Sequence, residues 1–260
     1  MTSAPQQPLR GRAVLVTRPI HQTDKLVGLI NAAGGEAILF PALAIESPEN
    51  PAPVRQLLAE LARFDLAIFV SSNAVEYGLA LLARSWPGAV RIAAVGAGTA
   101  AALRRRGLVC DVVPASADSE SLMALPELSG LAEGKRVLIF RGEGGREVLA
   151  DRLRQQGTEV IYAECYRRLR PHADARALIA RWESGGLHAV TVMSGETLDN
   201  LWSMLGEAGQ HLLRHTPLFA PHPNIGQRAA GLGLTEVSIT PPGDEGVLRG
   251  LTTWFAQRAR

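Results

Sequence analysis

Cysteine is nearly absent. The chain of 260 residues carries two, Cys110 and Cys165, too few for a disulfide framework or a thiolate metal cluster, and a reducing compartment fits that usage. Long apolar runs are missing too: none reaches the ~18 residues that a membrane-spanning helix needs. A hydrophobic fraction of 47% and a mean hydropathy of +0.07 nevertheless describe a soluble chain with ample core. Neither sign of charge dominates. With 27 basic and 25 acidic residues, net +2, there is no general nucleic-acid surface, and any anion site must be local. The segment Met1–Gly11 lacks the apolar centre of a secretory signal and reads as a short flexible leader on a cytoplasmic protein. Metal-ligand spacing, a nucleophile elbow and a close carboxylate pair are absent as well.

What is present is a repeated strand–turn–helix unit. The apolar run Val137–Phe140 reads as a buried strand, and the turn with Gly142, Gly144 and Gly145 opens an amphipathic helix carrying Val148, Leu149 and Leu153. Glycines there let the backbone approach a ligand, and amides at the helix start point at an anion. Arg141 and Arg146 bracket the spot. The same unit occurs earlier, from Arg12 through a helix with Leu26, Leu29 and Ile30 to Gly34, Gly35 and Glu36–Ile38, at an offset of 123 to 124. Residues 189–205 match 67–83 at an offset of 122, and 218–257 match 92–125 at about 126. Two copies imply a duplicated architecture. Each half alternates strands with helices, the pattern of a parallel sheet covered on both faces.

Between these units lie features open to more than one reading. Leu39–Glu46, interrupted by Pro41, suits an edge or connecting strand, and Glu159–Tyr166, which matches residues 36 to 43, is a second extended crossing segment. Ser71, Ser72 and Asn73 precede a helix and serve first as N-cap residues, although a second hydroxyl beside the cap can face a ligand. Gly96-Ala97-Gly98-Thr99-Ala100 has the G-x-G-x-x-A form of a dinucleotide fingerprint. That motif belongs in the first βα turn with an acid at the tip of the next strand, whereas Asp111 stands at a strand's start, so nucleotide binding is rejected. Arg104–Arg106 suits a helix C-terminus; Arg167, Arg168 and Arg170 fit a solvated linker or a ligand-facing edge equally.

In order and spacing, these segments resemble the uroporphyrinogen-III synthase family. The likeness rests on Val16–Pro19, Phe40–Ile45, Phe69–Val75, Ala94–Ala100, Arg141-Gly142 with Gly145–Glu147, and Tyr166–Arg168, and it spans nearly the whole chain. It implies an α/β fold of two similar parallel-sheet α/β domains, HemD-like with flavodoxin-like lobes, joined by a two-stranded hinge with a cleft between them. Residues 1–38 and 170–260 form one discontinuous domain, 44–162 the other, and 39–43 with 163–169 the connecting strands. The duplication alone suggests a simple split near residue 126 instead.

The family's enzymes cyclise a linear tetrapyrrole, hydroxymethylbilane, losing water and inverting the terminal pyrrole ring through a spirocyclic intermediate. Geometry carries most of such a reaction, because the substrate readily sheds its hydroxyl to an azafulvene-like cation. The resemblance places Tyr166 where it assists that departure; a phenol ionises only near pH ~10 and so is a donor at neutral pH. It assigns Ser72, Asn73, Gly96, Thr99, Gly142 and Ser194 to turns that receive acetate or propionate groups, and Arg18 and Arg141 to carboxylate clamps. Pro221-His222-Pro223-Asn224-Ile225 departs from the family's usual Gly and Thr turn; His222 and Asn224 replace the hydroxyl as donors there, or simply fix the turn. No metal or other cofactor, nucleic acid or membrane is implied, and the expected state is a cytoplasmic monomer.

Two alternatives remain at this level: a non-catalytic two-domain protein binding a small polyanionic ligand, and a nucleotide-dependent enzyme using Gly96–Gly98. Adenine and nicotinamide nucleotides are expected to leave the thermal unfolding midpoint unchanged, and a saturable upward shift in differential scanning fluorimetry would reinstate the nucleotide reading.

Overall fold

The computed structural model describes residues 7–116, 118–131, 133–145 and 147–258. In chain order the elements are β1 (Ala13–Val16), α1 (Asp24–Ala32), β2 (Glu36–Leu39), β3 (Ala44–Glu46), α2 (Ala52–Ala59), β4 (Leu66–Phe69), α3 (Ser72–Leu81), β5 (Arg91–Ala94) and α4 (Ala97–Arg105). There follow α5 (Ser119–Met123), α6 (Pro126–Ser129), β6 (Arg136–Gly142), α7 (Val148–Gln155), β7 (Glu159–Leu169) and α8 (Arg176–Glu183). The last are β8 (Ala189–Thr191), α9 (Gly195–Arg214), β9 (Leu218–Ala220), α10 (Pro223–Gly231), β10 (Val237–Ile239) and α11 (Asp244–Arg258). The chain divides into two compact units, Met1–Ala44 with Leu169–Arg260, and Ile45–Arg168.

The first unit is a five-stranded sheet in the order β2-β1-β8-β9-β10, its neighbours all parallel. Read along the chain, this is the flavodoxin-like order 2-1-3-4-5. All four residues of β1 are buried, as a strand covered on both faces requires. One face packs Leu15, Val190, Leu218 and Ala220 against α8, α9 and α10; the other packs Val14, Val16, Ala189 and Phe219 against α1 and α11. The period-two alternation of β1 between these cores is the expected geometry of a pleated strand.

In the second unit the order is β3-β7-β6-β4-β5, extended beyond β5 by a parallel bridge from Ala93 to Val112. Omitting β3, the two sheets are the same arrangement. The pair Val14–Ala189 in one sheet is Leu66–Val137 in the other, each residue displaced by 123. The offset of 122 read from sequence for the last third is therefore corrected to 123, which aligns Ser194 with Ser71 rather than Ser72. Val137 and Ile139 pack with α5, α6 and α7. Facing the other way, the Phe140 and Phe69 rings stack at 4.3 Å. A Cβ on Gly78 would stand 2.6 Å from Phe140 Cδ1, so glycine is what lets α3 close on that ring.

Three expectations change. The leader is not free as far as it is described: Leu9 is fully buried and its amide donates to Ala33 O at 2.9 Å, while residues 1–6 lie outside the described region. Only Ala44–Glu46 of the segment 39–46 is strand after β2 ends, because Pro41 has no amide to give and Phe40 and Ala42 turn into the core. The stretch 116–128, whose sequence reads as a loop and one helix, carries two short helices, since Pro126 cannot continue α5 and starts α6. No described helix is long and apolar enough to cross a membrane.

One half-buried contact makes stability pH-dependent. His188 Nδ1 accepts from the Ala13 amide at 3.0 Å, tying the start of β8 to β1. Burial, then the Arg12 and Arg181 charges, lowers its pKa below the ordinary histidine value. Below pH ~6.5 the unfolded chain therefore takes up the proton first, and stability falls as pH drops from that value to the lower folded-state pKa. The unfolding midpoint of the wild type is expected to fall between pH 7.5 and 5.5, and that of H188N, which keeps an acceptor without a charge, to fall less; equal slopes would remove His188 as the cause.

Candidate active site

In each sheet two central neighbours send their chains in opposite directions: β1 and β8 in the first unit, β6 and β4 in the second. Ligands of open α/β sheets bind outside the carboxyl ends of such a pair. Ser71, Ser72, Asn73, Gly96, Thr99, Arg141, Gly142 and Tyr166 all lie at the carboxyl ends of the second unit's strands or in the turns that follow. Arg18, Ser194, His222 and Asn224 hold the corresponding edge of the first unit.

Tyr166 is the centre of the second unit's edge. The β6–β7 register slips between Arg141, opposite Glu164, and Gly142, opposite Tyr166. This bulge re-aims the tyrosine, setting its ring on Gly142. A Cβ there would lie 2.6 Å from Cε2 and 2.7 Å from Cζ, so glycine is required at 142 for close approach and not for backbone freedom. The ring is 5% exposed, and its hydroxyl meets Ser71 Oγ at 3.2 Å. Ser71 is the N-cap of α3, its Oγ accepting from the Ala74 amide at 3.1 Å. With that acceptor position filled, Ser71 can donate to Tyr166 Oη and leave the phenolic proton for a third group. Sequence reading placed the second role on Ser72; the signal that identifies Ser71 is the 123-residue register.

Around this pair the other residues take distinct roles. Ser72 Oγ is exposed and donates to Gly98 O at 3.3 Å, joining the starts of α3 and α4, and Asn73 is half-buried in the first turn of α3. Gly96 caps α4 with extended backbone that any residue adopts, and Gly98 has open space where a Cβ would stand. Gly98 is not demanded by a close approach, and Asp111 accepts from the Ile92 amide at 2.7 Å instead of projecting from a strand tip; both facts tell against a dinucleotide turn. Thr99 is buried in α4. Cys165, next to the tyrosine, is an inert thiol, pushed up to about 12 by burial.

The two arginines differ from expectation. Arg141 is 5% exposed; its Nε donates to Gly144 O at 3.1 Å and Gly142 O at 3.3 Å, Nη2 also reaches Gly144 O, and Nη1 pairs with Glu147 at 2.9 Å. Its guanidinium lies 4.4 Å over the Tyr162 ring, and the Tyr162 hydroxyl donates to Glu147. Burial, then Glu147, raises the Tyr162 pKa, while the Tyr162 hydrogen bond, then Arg141's, lowers that of Glu147. Arg18, its counterpart by the same register, pairs with Asp244 at 2.7 Å with side chains 11% and 15% exposed, and its Nη2 is enclosed. Arg141 finds two backbone carbonyls and a carboxylate within its own unit, and Arg18 finds Asp244 and one carbonyl, Gln22 O at 3.2 Å. As arranged, neither is an open carboxylate clamp. Arg146 lies outside the described residues.

The first unit's edge is simpler. Thr17 Oγ1 donates to Thr191 O at 2.7 Å and Thr191 Oγ1 to Leu15 O at 2.9 Å, fastening β1 to β8 where they end. Ser194 caps α9, accepting from the Thr197 amide at 3.1 Å. His222 caps α10, Nδ1 accepting from the Asn224 amide at 3.2 Å, which leaves Nε2–H as an exposed donor beside the exposed Asn224. A pocket of about 200 Å³ opens within the second unit, walled by Tyr166, Gly142, Ile139, Leu149 and Arg168. Sites that enclose a whole drug-sized ligand run to ~300–1,000 Å³, and this one is smaller.

Comparison with known proteins gives the family and the fold. The sequence model of the family described as uroporphyrinogen-III synthase HemD matches residues 24–245. The uroporphyrinogen-III synthases of Salmonella typhimurium and Escherichia coli are each 34% identical over 245 residues, covering 92% of this chain and 99% of theirs. The crystal structure of a mutant uroporphyrinogen III synthase from the extremely thermophilic bacterium Thermus thermophilus matches with a TM-score of 0.63 at 18% identity, over 95% of this chain and 99% of that one, a likeness of fold alone. Matched nearly from end to end at the level of sequence, and built on the same α/β plan, the chain belongs to the uroporphyrinogen-III synthase family.

Proposed function

We propose that the protein is a uroporphyrinogen-III synthase, a cyclising hydro-lyase that converts hydroxymethylbilane to uroporphyrinogen III with inversion of the terminal pyrrole ring and loss of water. The observation that carries the reading is the end-to-end likeness to relatives bearing that name. The chemistry suits the side chains available. Departure of the substrate hydroxyl needs one donor, and a phenol whose own oxygen can accept from a capping serine supplies it. The reaction exchanges no electrons with an outside carrier, so no redox cofactor is called for, and the proposed state is a cytoplasmic monomer.

The substrate brings eight carboxylates. In this reading they are received by the helix starts at Ser72–Asn73, Gly96–Thr99, Ser194 and His222–Asn224 and by the turn at Gly142, where backbone amides and small polar side chains are the donors. Arg18 and Arg141 serve the edges from within. Holding the bilane folded with the substituted carbon of the last ring near the azafulvene carbon accounts for most of the acceleration, and the single proton donor adds a smaller factor.

Purified protein supplied with freshly generated hydroxymethylbilane is expected to give the type III isomer, read by chromatography of the oxidised porphyrins; type I alone, the product of spontaneous closure, would reject the proposal. Replacing Tyr166 by Phe is expected to lower kcat about 10-fold while leaving the isomer type unchanged. An unaltered rate would remove the hydroxyl from the mechanism.

A further inference from the structure

The buried guanidinium of Arg141 reaches Tyr166 through a short, continuous set of contacts. It holds Gly142 O and Gly144 O, and Gly144 and Gly145 fold around it with φ of +68° and +115°. A Cβ on Gly145 would stand 2.8 Å from Nη2, so the turn is built on the cation and closes because residue 145 has no side chain. On its other side the turn grips the tyrosine twice. The Glu143 amide donates to Tyr166 O at 2.8 Å, and Gly142 carries the ring. Glu147 and Tyr162 fix the far end of the guanidinium, one as carboxylate partner and one as the aromatic face beneath it.

From this geometry we infer that Arg141, with Glu147 as its anchor, is a positioning residue that sets the aim of the Tyr166 hydroxyl and does not bind substrate. This rests on the proposed cyclisation and adds to it a residue whose effect passes wholly through Tyr166. A planar fork with several donors is needed to hold two carbonyls and a carboxylate at once, a task lysine cannot perform with a point charge. Ser71 restrains the hydroxyl end of the ring and the Arg141 turn restrains the backbone end. Loosening either lets the phenol swing while leaving the turn amides and the rest of the edge in place.

The test is a double-mutant cycle in the full-length protein with hydroxymethylbilane as substrate. R141K is expected to lower kcat by up to about 10-fold, towards the Y166F rate, with KM changed less than about 3-fold. In the Y166F background the same change is expected to alter kcat less than about 2-fold, because the group it positions is gone. E147Q, at the half-exposed end, is expected to lower kcat about 3-fold and to show the same loss of effect; it stands in should R141K fail to fold, as judged by its unfolding midpoint. A rise in KM with kcat unchanged would mean that Arg141 binds substrate. Reductions that multiply in the double variants would mean that it acts independently of Tyr166. Either result overturns the inference, whereas failure of the wild type to form the type III isomer would strike the underlying function instead.

Discussion

The structure depends on the parallel pairing of strands buried on both faces. Such strands cannot turn their backbone groups to water, so β1 must pair with β2 and β8, and β4 with β5 and β6. Parallel pairing forces every return crossing through a helix, and the strands then end together along one edge from which helices depart. Capping residues such as Ser71 and Ser194, and the helix starts they begin, are therefore collected on that edge in both units.

Within the second unit one defect in the regular ladder has the larger effect. The slip between Arg141 and Gly142 opposite β7 places Tyr166 on a residue with no side chain and within reach of a cap hydroxyl. A regular register would have set Cys165 opposite Gly142. The buried Arg141 lies beneath the turn that follows, its Nε and Nη2 meeting Gly144 O where the chain folds back over it. A charge this deep is tolerable because carbonyls, a carboxylate and an aromatic face surround it.

The duplication adds a comparison inside one chain. Arg18 and Arg141 occupy the same place after the same strand, and each is held by an acid of its own unit, Asp244 and Glu147. Ser194 and Ser71 cap equivalent helices. What differs is the residue beside the cap. The second unit has a tyrosine hydroxyl against its serine, whereas the first has Thr197 within the helix. Two similar frames thus hold unlike chemistry, and only one carries a phenol suited to proton donation.

Much of the architecture was legible in the amino-acid order. Apolar runs such as Val137–Phe140 and Leu66–Phe69, the glycines that stop helices and the recurrence near 123 residues fix the strands, the helices and their repetition, because these depend on side-chain period and backbone freedom within a few residues. The extended strand that carries Tyr166 was legible as well. The pairing of β1 with β8 across more than 170 residues, the direction of the Arg141 guanidinium and the choice of Ser71 over Ser72 were settled only by tertiary structure. Local sequence sets which face a side chain takes along its own strand, but a bulge changes that face, and the partner of a long, flexible cation is whichever acceptor the folded chain brings within reach.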